Sequence, residues 1–105
     1  MDKGEALEIA RKYIEFISTK FNIQSAMLFG SFAKGNFHDD SDIDIAVVIK
    51  NINDIFDTQV ELMKLRRNID LRIEPHPFDY TDFNVNDPVV NEILKFGIKI
   101  DFIAA

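Results

Sequence analysis

The 105-residue chain has no cysteine and no tryptophan, only four glycines and three prolines, and too few positive charges to balance its acids. The lack of cysteine excludes a disulfide frame and a thiolate metal site. Twelve Lys and Arg face eighteen Asp and Glu, for a formal net charge of −6, and no basic group is denser than Lys64, Arg66 and Arg67. A nucleic-acid backbone is gripped through a basic face, so the charge argues against broad nucleic-acid binding and a free-standing polymerase. No apolar run approaches the roughly 20 residues of a membrane-spanning helix. The charged N-terminus has no apolar signal region, and the expected location is cytoplasmic, with no membrane partner. No repeat, low-complexity tract or linker interrupts the chain, which predicts a single domain over residues 1–105. What is present is an ordinary globular composition, 47% apolar and 29% charged, with ten phenylalanines for a core.

Periodicity sets a coarse order of elements. Leu7, Ala10, Ile14, Ile17 and Phe21 predict a core-covering helix near 3–21, which leaves Ile9, Tyr13 and Phe16 off the stripe and available to a partner. A short strand over 25–29 follows, then a helical turn over 31–34 that Gly35 ends. Residues 36–41 make a polar turn. The run over 42–50, apolar on both faces after Asp44, predicts a central strand. One helical turn is too short for a parallel crossover, so the two strands are expected to be adjacent and antiparallel or mixed. Asn53 is placed as the cap of a helix whose stripe Ile55, Phe56, Gln59, Val60, Met63 and Arg67 packs on the sheet. Alternation over 69–74 predicts a strand with Ile69, Leu71 and Ile73 on one face, ended by Pro75 and Pro77. Asp87-Pro88 opens a last helix that Gly97 stops, and 98–102 adds an edge strand. The fold class is α+β in two layers: a small mixed, mostly antiparallel sheet packed with helices.

The chemistry concentrates between Phe29 and Ile45. Gly30-Ser31 follows an apolar run. Glycine lets a ligand approach the backbone, and a helix beginning at Ser31 would offer N–H groups and a hydroxyl to an anion such as a phosphate. Lys34 is a second phosphate candidate, or equally a solvated helix lysine. On a strand, Asp42 and Asp44 share one face about 6.6 Å apart while Ile43 and Ile45 face a core. Two neighbouring carboxylates repel and resist desolvation. A hard cation between them removes that cost, and Mg²⁺ is commonly held by one or two carboxylates plus substrate phosphates. His38 and His76 have no partners at metal-ligand spacing; they read as a loop residue and part of a Pro-rich turn.

Gly30-Ser31-x-Ala33-x-Gly35 followed by Asp40-Ser41-Asp42-Ile43-Asp44 resembles the signature of the nucleotidyltransferase superfamily that includes DNA polymerase beta, and its minimal members in particular. The resemblance implies a third carboxylate on a later strand within an Ile-Asp-x-Arg sequence. Asp70 with Arg72 matches it, and Glu74 competes for the role. It implies two Mg²⁺ ions on Asp42, Asp44 and Asp70, and an NTP, ATP first, on Gly30, Ser31 and Lys34. The expected reaction is transfer of AMP to a hydroxyl without a protein nucleophile. Minimal members are often paired with a small helical HEPN-type toxin, so the implied acceptor is such a partner, in a homo- or hetero-oligomer. A non-catalytic antitoxin module and an antibiotic nucleotidyltransferase are the alternatives. Some minimal members carry arginine after Gly-Ser where this chain has Phe32.

Overall fold

The computed structural model describes residues 1–104. Helix α1 (Lys3–Ile17) begins where the Asp2 carboxylate accepts from the Glu5 N–H at 2.8 Å, satisfying one of the free donors of the first turn. It stops four residues short of the predicted end. Strand β1 (Ile23–Phe29) leads to the single turn α2 (Ser31–Lys34) and then to β2 (Ile43–Ile49). Helix α3 (Ile55–Leu65) is capped by Asp54 rather than Asn53, through bonds from Phe56 and Asp57 N–H. Strand β3 (Ile73–Asp79) follows, then α4 (Pro88–Phe96), capped by Asp87, and a two-residue β4 (Ile98–Lys99).

The strand order is β3-β2-β1-β4. β1 runs antiparallel to β2 and β4, and β3 runs parallel to β2, which makes the sheet mixed and mostly antiparallel. Alternation divides its two faces. Ala26, Leu28, Ile43, Ile45, Val47, Ile49 and Ile73 join Ala6, Ala10, Tyr13, Ile14 and Ile17 of α1 and Leu62 and Leu65 of α3 in the main core. On the opposite face Ala46 and Val48 are buried, as are Val90 and Ile93 of α4, and α4 packs on β1.

Three further expectations give way to the structure. The stripe assigned to α3 has the wrong rotational phase: Ile55, Phe56 and Val60 are exposed while Leu62 and Leu65 are buried. Tyr13 is not available to a partner. It is fully buried, and its hydroxyl donates to the Leu62 carbonyl at 2.7 Å; burial raises its pKa. The strand predicted over 69–74 begins only at Ile73 and runs through both prolines. The Ile43 N–H bonds the Arg72 carbonyl, so in this parallel ladder the even positions of β3 address β2. Pro75 and Pro77, which have no N–H, therefore face the free edge. Arg66 and Gln59 donate to the Ile73 and Pro75 carbonyls on that edge, which blunts it against further pairing.

Removing the phenol of Tyr13 tests the α1–α3 tie. The Leu62 carbonyl also accepts from the Arg66 N–H, so Tyr13→Phe should cost about 0.5–1.5 kcal/mol, the range for one net hydrogen bond, read as a lower urea midpoint with an unchanged slope.

Candidate active site

The antiparallel register pairs Phe29 with Asp44, so the residue after Phe29 lies beside the Asp44 side chain. That residue is Gly30, with φ +73° and ψ −149°, a conformation open to glycine and costly for other residues. A Cβ built on Gly30 would lie 2.4 Å from Asp44 Oδ2. Glycine is thus required twice, once for the backbone and once for the space.

The Gly30 turn is held from below. Phe32 is buried in the main core and stacks on Phe37 at 4.7 Å between ring centroids. This accounts for an apolar residue at a position where some minimal nucleotidyltransferases carry arginine: here it anchors α2. Gly35 closes the turn in the left-handed region, and the N–H groups of Gly35 and Asn36 both donate to the Ser31 carbonyl. Among the described residues, the Ser31 hydroxyl has no hydrogen-bond partner. In the loop to β2, the buried Ser41 hydroxyl accepts from the His38 N–H, and His38 Nδ1 accepts from the Asp40 N–H. His38 is therefore a loop residue, as expected.

Asp44 lies on the sheet face away from the main core, and its side chain is 26% exposed. Asp42, one residue before β2, is exposed, and strand alternation carried back one step gives it the same face. His76 is not part of a Pro-rich turn. It lies inside β3 on the Asp44 face, with Nε2 3.1 Å from Asp44 Oδ1 and Phe29 edge-on to its ring at 4.9 Å. Nothing in the local sequence around Pro75-His76-Pro77 pointed to that contact; only the parallel register, Ala46 opposite His76, creates it.

The two candidates for a third carboxylate are now separated. Asp70 is in the turn before β3, where its carboxylate takes a bidentate pair of bonds from Arg72 at 2.9 and 2.6 Å and accepts from the Arg72 N–H. Arg72 holds the Asp70 carboxyl below the usual carboxylate range, against a smaller opposing effect of burial. Arg72 also feels Glu5 at the start of α1, the helix on the other face of the sheet. Glu74, by contrast, is in register opposite Asp44 on the same face, with Arg66 3.6 Å away. Among the described residues, no three acidic or histidine side chains form a ready metal cluster, so neither Asp70 nor Glu74 completes one with Asp42 and Asp44 as they stand. The donor set on the Asp44 face is hard oxygen from carboxylates on adjoining strands, which fits a divalent cation completed by substrate phosphates.

Beside the turn lies a cleft of about 230 Å³ between Phe29 and Gly30 on one side and Val89, Glu92, Ile93 and Phe96 of α4 on the other. Lys34 crosses its mouth, 2.7 Å from Glu92 Oε1 and 5.5 Å from the centre of the Phe96 ring. The lysine is thus engaged by α4, neither merely solvated nor directed by any contact toward Asp42 or Asp44.

Two outcomes follow from this geometry. Gly30→Ala should displace the Asp44 carboxylate and cost about 1–3 kcal/mol of stability through strain alone, measured by thermal or urea unfolding. Asp70, with its folded pKa depressed, stabilises the protein above its unfolded value of about 3.9 and loses that contribution as pH falls through the folded value. Asp70→Asn should therefore lower the unfolding midpoint at pH 7, with the difference from wild type shrinking as pH falls below about 3.9.

Comparisons with known proteins identify the family. The polymerase beta nucleotidyltransferase family matches residues 11–101. Two proteins of Methanocaldococcus jannaschii, MJ0141 and MJ1379, carry the name protein adenylyltransferase as an inferred assignment. They are 24% identical over 91% of this chain and 99% of MJ0141, and 35% identical over 88% of this chain and 90% of MJ1379. A crystal structure of a nucleotidyltransferase, so assigned by inference, from Sulfolobus solfataricus superposes with a TM-score of 0.67, 27% identity and coverage of 92% of this chain and 80% of that one. A toxin–antitoxin complex solved with AMP-PNP shares the fold at a TM-score of 0.59 and 23% identity, over 98% of this chain and 75% of that one. With its Gly30 turn set against Asp44 and the family matched over nearly its full length, the chain belongs to the polymerase beta nucleotidyltransferase family, as a minimal member and an enzyme of the nucleotidyltransferase type.

Proposed function

We propose that this chain transfers AMP from ATP to a hydroxyl group of a partner protein, with Mg²⁺ held on the Asp44 face. The observation that supports the reading is the apposition of the Asp44 carboxylate and the Gly30 turn, which would set a cation ligand beside a phosphate contact. Asp42 and Asp44 hold the metal. A bound pair of divalent ions would neutralise the triphosphate and lower the pKa of the acceptor hydroxyl, so the protein's own work is placement. Gly30 allows the phosphates close to the backbone, and the unpartnered Ser31 hydroxyl donates to them. Lys34 reaches a phosphate only by leaving Glu92. The cleft between Phe29 and Phe96 takes the base. Register favours Glu74 over Asp70 as the third carboxylate, since Asp70 is already neutralised by Arg72.

A protein acceptor is supported by the name of the M. jannaschii relatives and by the toxin–antitoxin neighbour. A small helical HEPN-type toxin is the first candidate, and ATP as donor implies the cytoplasm. No helix among the described residues is long and apolar enough to cross a membrane.

The test is labelling of a candidate partner by [α-³²P]ATP and Mg²⁺, with pyrophosphate release measured in parallel. Asp44→Asn should reduce transfer by at least about 100-fold, and Glu74→Gln by about 10- to 100-fold, the scale of losing a ligand or its support. Asp70→Asn should stay within about threefold of wild type at pH 7, the effect of losing an ion pair remote from the chemistry. A partner that is neutralised in full by an Asp42→Asn/Asp44→Asn double variant would instead mark the chain as a docking antitoxin.

A further inference from the structure

We infer that His76 is a positioning residue for Asp44: its Nε2–H donates to Oδ1 and holds the carboxylate in the orientation that receives the metal. The inference rests on the proposed assignment of Asp44 as a metal ligand, and it adds a residue outside the Gly-Ser and Asp-x-Asp motifs.

An aspartate's terminal torsion is broad and roughly two-fold, so a free carboxylate must be ordered before it can serve as a directional ligand. Asp44 has a close neighbour at each oxygen and a hydrogen bond at one. Oδ2 stands over Gly30, so close that a Cβ on that residue would be 2.4 Å away. Oδ1 is 3.1 Å from His76 Nε2. An ionised carboxylate only accepts hydrogen bonds, so the proton between them is on Nε2.

His76 is itself fixed. Its backbone lies in β3 opposite Ala46, between Pro75 and Pro77, whose rings restrict φ. Phe29 packs edge-on against the imidazole with the ring planes at 62°. Phe29 also pairs in register with Asp44, so one residue of β1 locates both members of the hydrogen bond. Outer groups that orient a ligating side chain in this way commonly contribute 10- to 100-fold to metal affinity. A histidine that was merely solvated would need neither the proline-flanked backbone nor the ring contact, and its side chain is only 40% exposed.

The experiment titrates Mn²⁺ into the intact chain without nucleotide, following the free-ion signal by electron paramagnetic resonance, for wild type, His76→Ala, His76→Gln and Asp44→Asn. Circular dichroism and the thermal midpoint of each variant are recorded alongside. His76→Ala should weaken Mn²⁺ binding about tenfold with its thermal midpoint close to wild type. His76→Gln should recover most of the loss, because a glutamine amide nitrogen can donate at about the reach of Nε2. Binding by His76→Ala equal to wild type, with Asp44→Asn impaired, would overturn the role of His76 and leave the transfer reading intact. Equal losses in His76→Ala and His76→Gln would also overturn it. Unimpaired binding by Asp44→Asn would remove Asp44 as a ligand and with it the basis of both readings.

Discussion

The structure depends on the close approach of the Gly30 backbone to the Asp44 carboxylate. Strands β1 and β2 are antiparallel neighbours, and their last register pair is Phe29 with Asp44. Any continuation of β1 must therefore pass beside an acidic side chain. A residue with a Cβ at that point would collide with Oδ2, and the positive φ there disfavours L side chains independently. The loop from 30 to 42 is thus tied at both ends to the same few ångströms. In between, Phe32 and Phe37 stack, with Phe32 sunk in the main core, so the loop is held by packing as well as by its termini.

The division of the sheet into two unlike faces turns that constraint into a site. One face is fully used for stability, with α1 and α3 covering Ile43, Ile45, Val47 and Ile73. The other is covered by α4 only in part, and the uncovered portion carries Asp44, Glu74 and His76. Carboxylates on a half-buried strand are costly beside one another without a counter-charge. They are tolerated where solvent, a histidine donor or a cation can reach them, which is the part of the sheet that α4 leaves open. The Arg72 pair disposes of Asp70 differently, by neutralising it in a turn. Two acids four residues apart in sequence thus have different surroundings, one bound by arginine in a turn and the other on the Asp44 face.

Strand β3 shows why local sequence rules misplaced the strand. Alternation over 69–74 reads as a strand, and two prolines read as its end. In the folded chain Leu71 is exposed, and the prolines are harmless because β3 is an edge strand whose odd positions face outward. Helix α3 misled for a related reason. Apolar residues at 55, 56, 60, 62, 63 and 65 spread over more than half its circumference, so periodicity alone gave the helix and left its rotation open. The bond from Tyr13 to the Leu62 carbonyl and the burial of Leu62 and Leu65 set the rotation.

From sequence alone came whatever depends on near neighbours in the chain: the α1, β1, α2, β2 and α4 segments, the adjacency of β1 and β2, and the family signature at Gly30, Ser31, Asp42 and Asp44. These follow from periodicities, caps and turn residues that act over a few positions. Tertiary structure decided what depends on β3 lying parallel to β2 after a helical crossover: that Glu74, not Asp70, stands opposite Asp44, that His76 meets its carboxylate, and that the prolines face outward. Those relations are set by register between strands thirty residues apart, and a one-residue slip there would reverse every one of them.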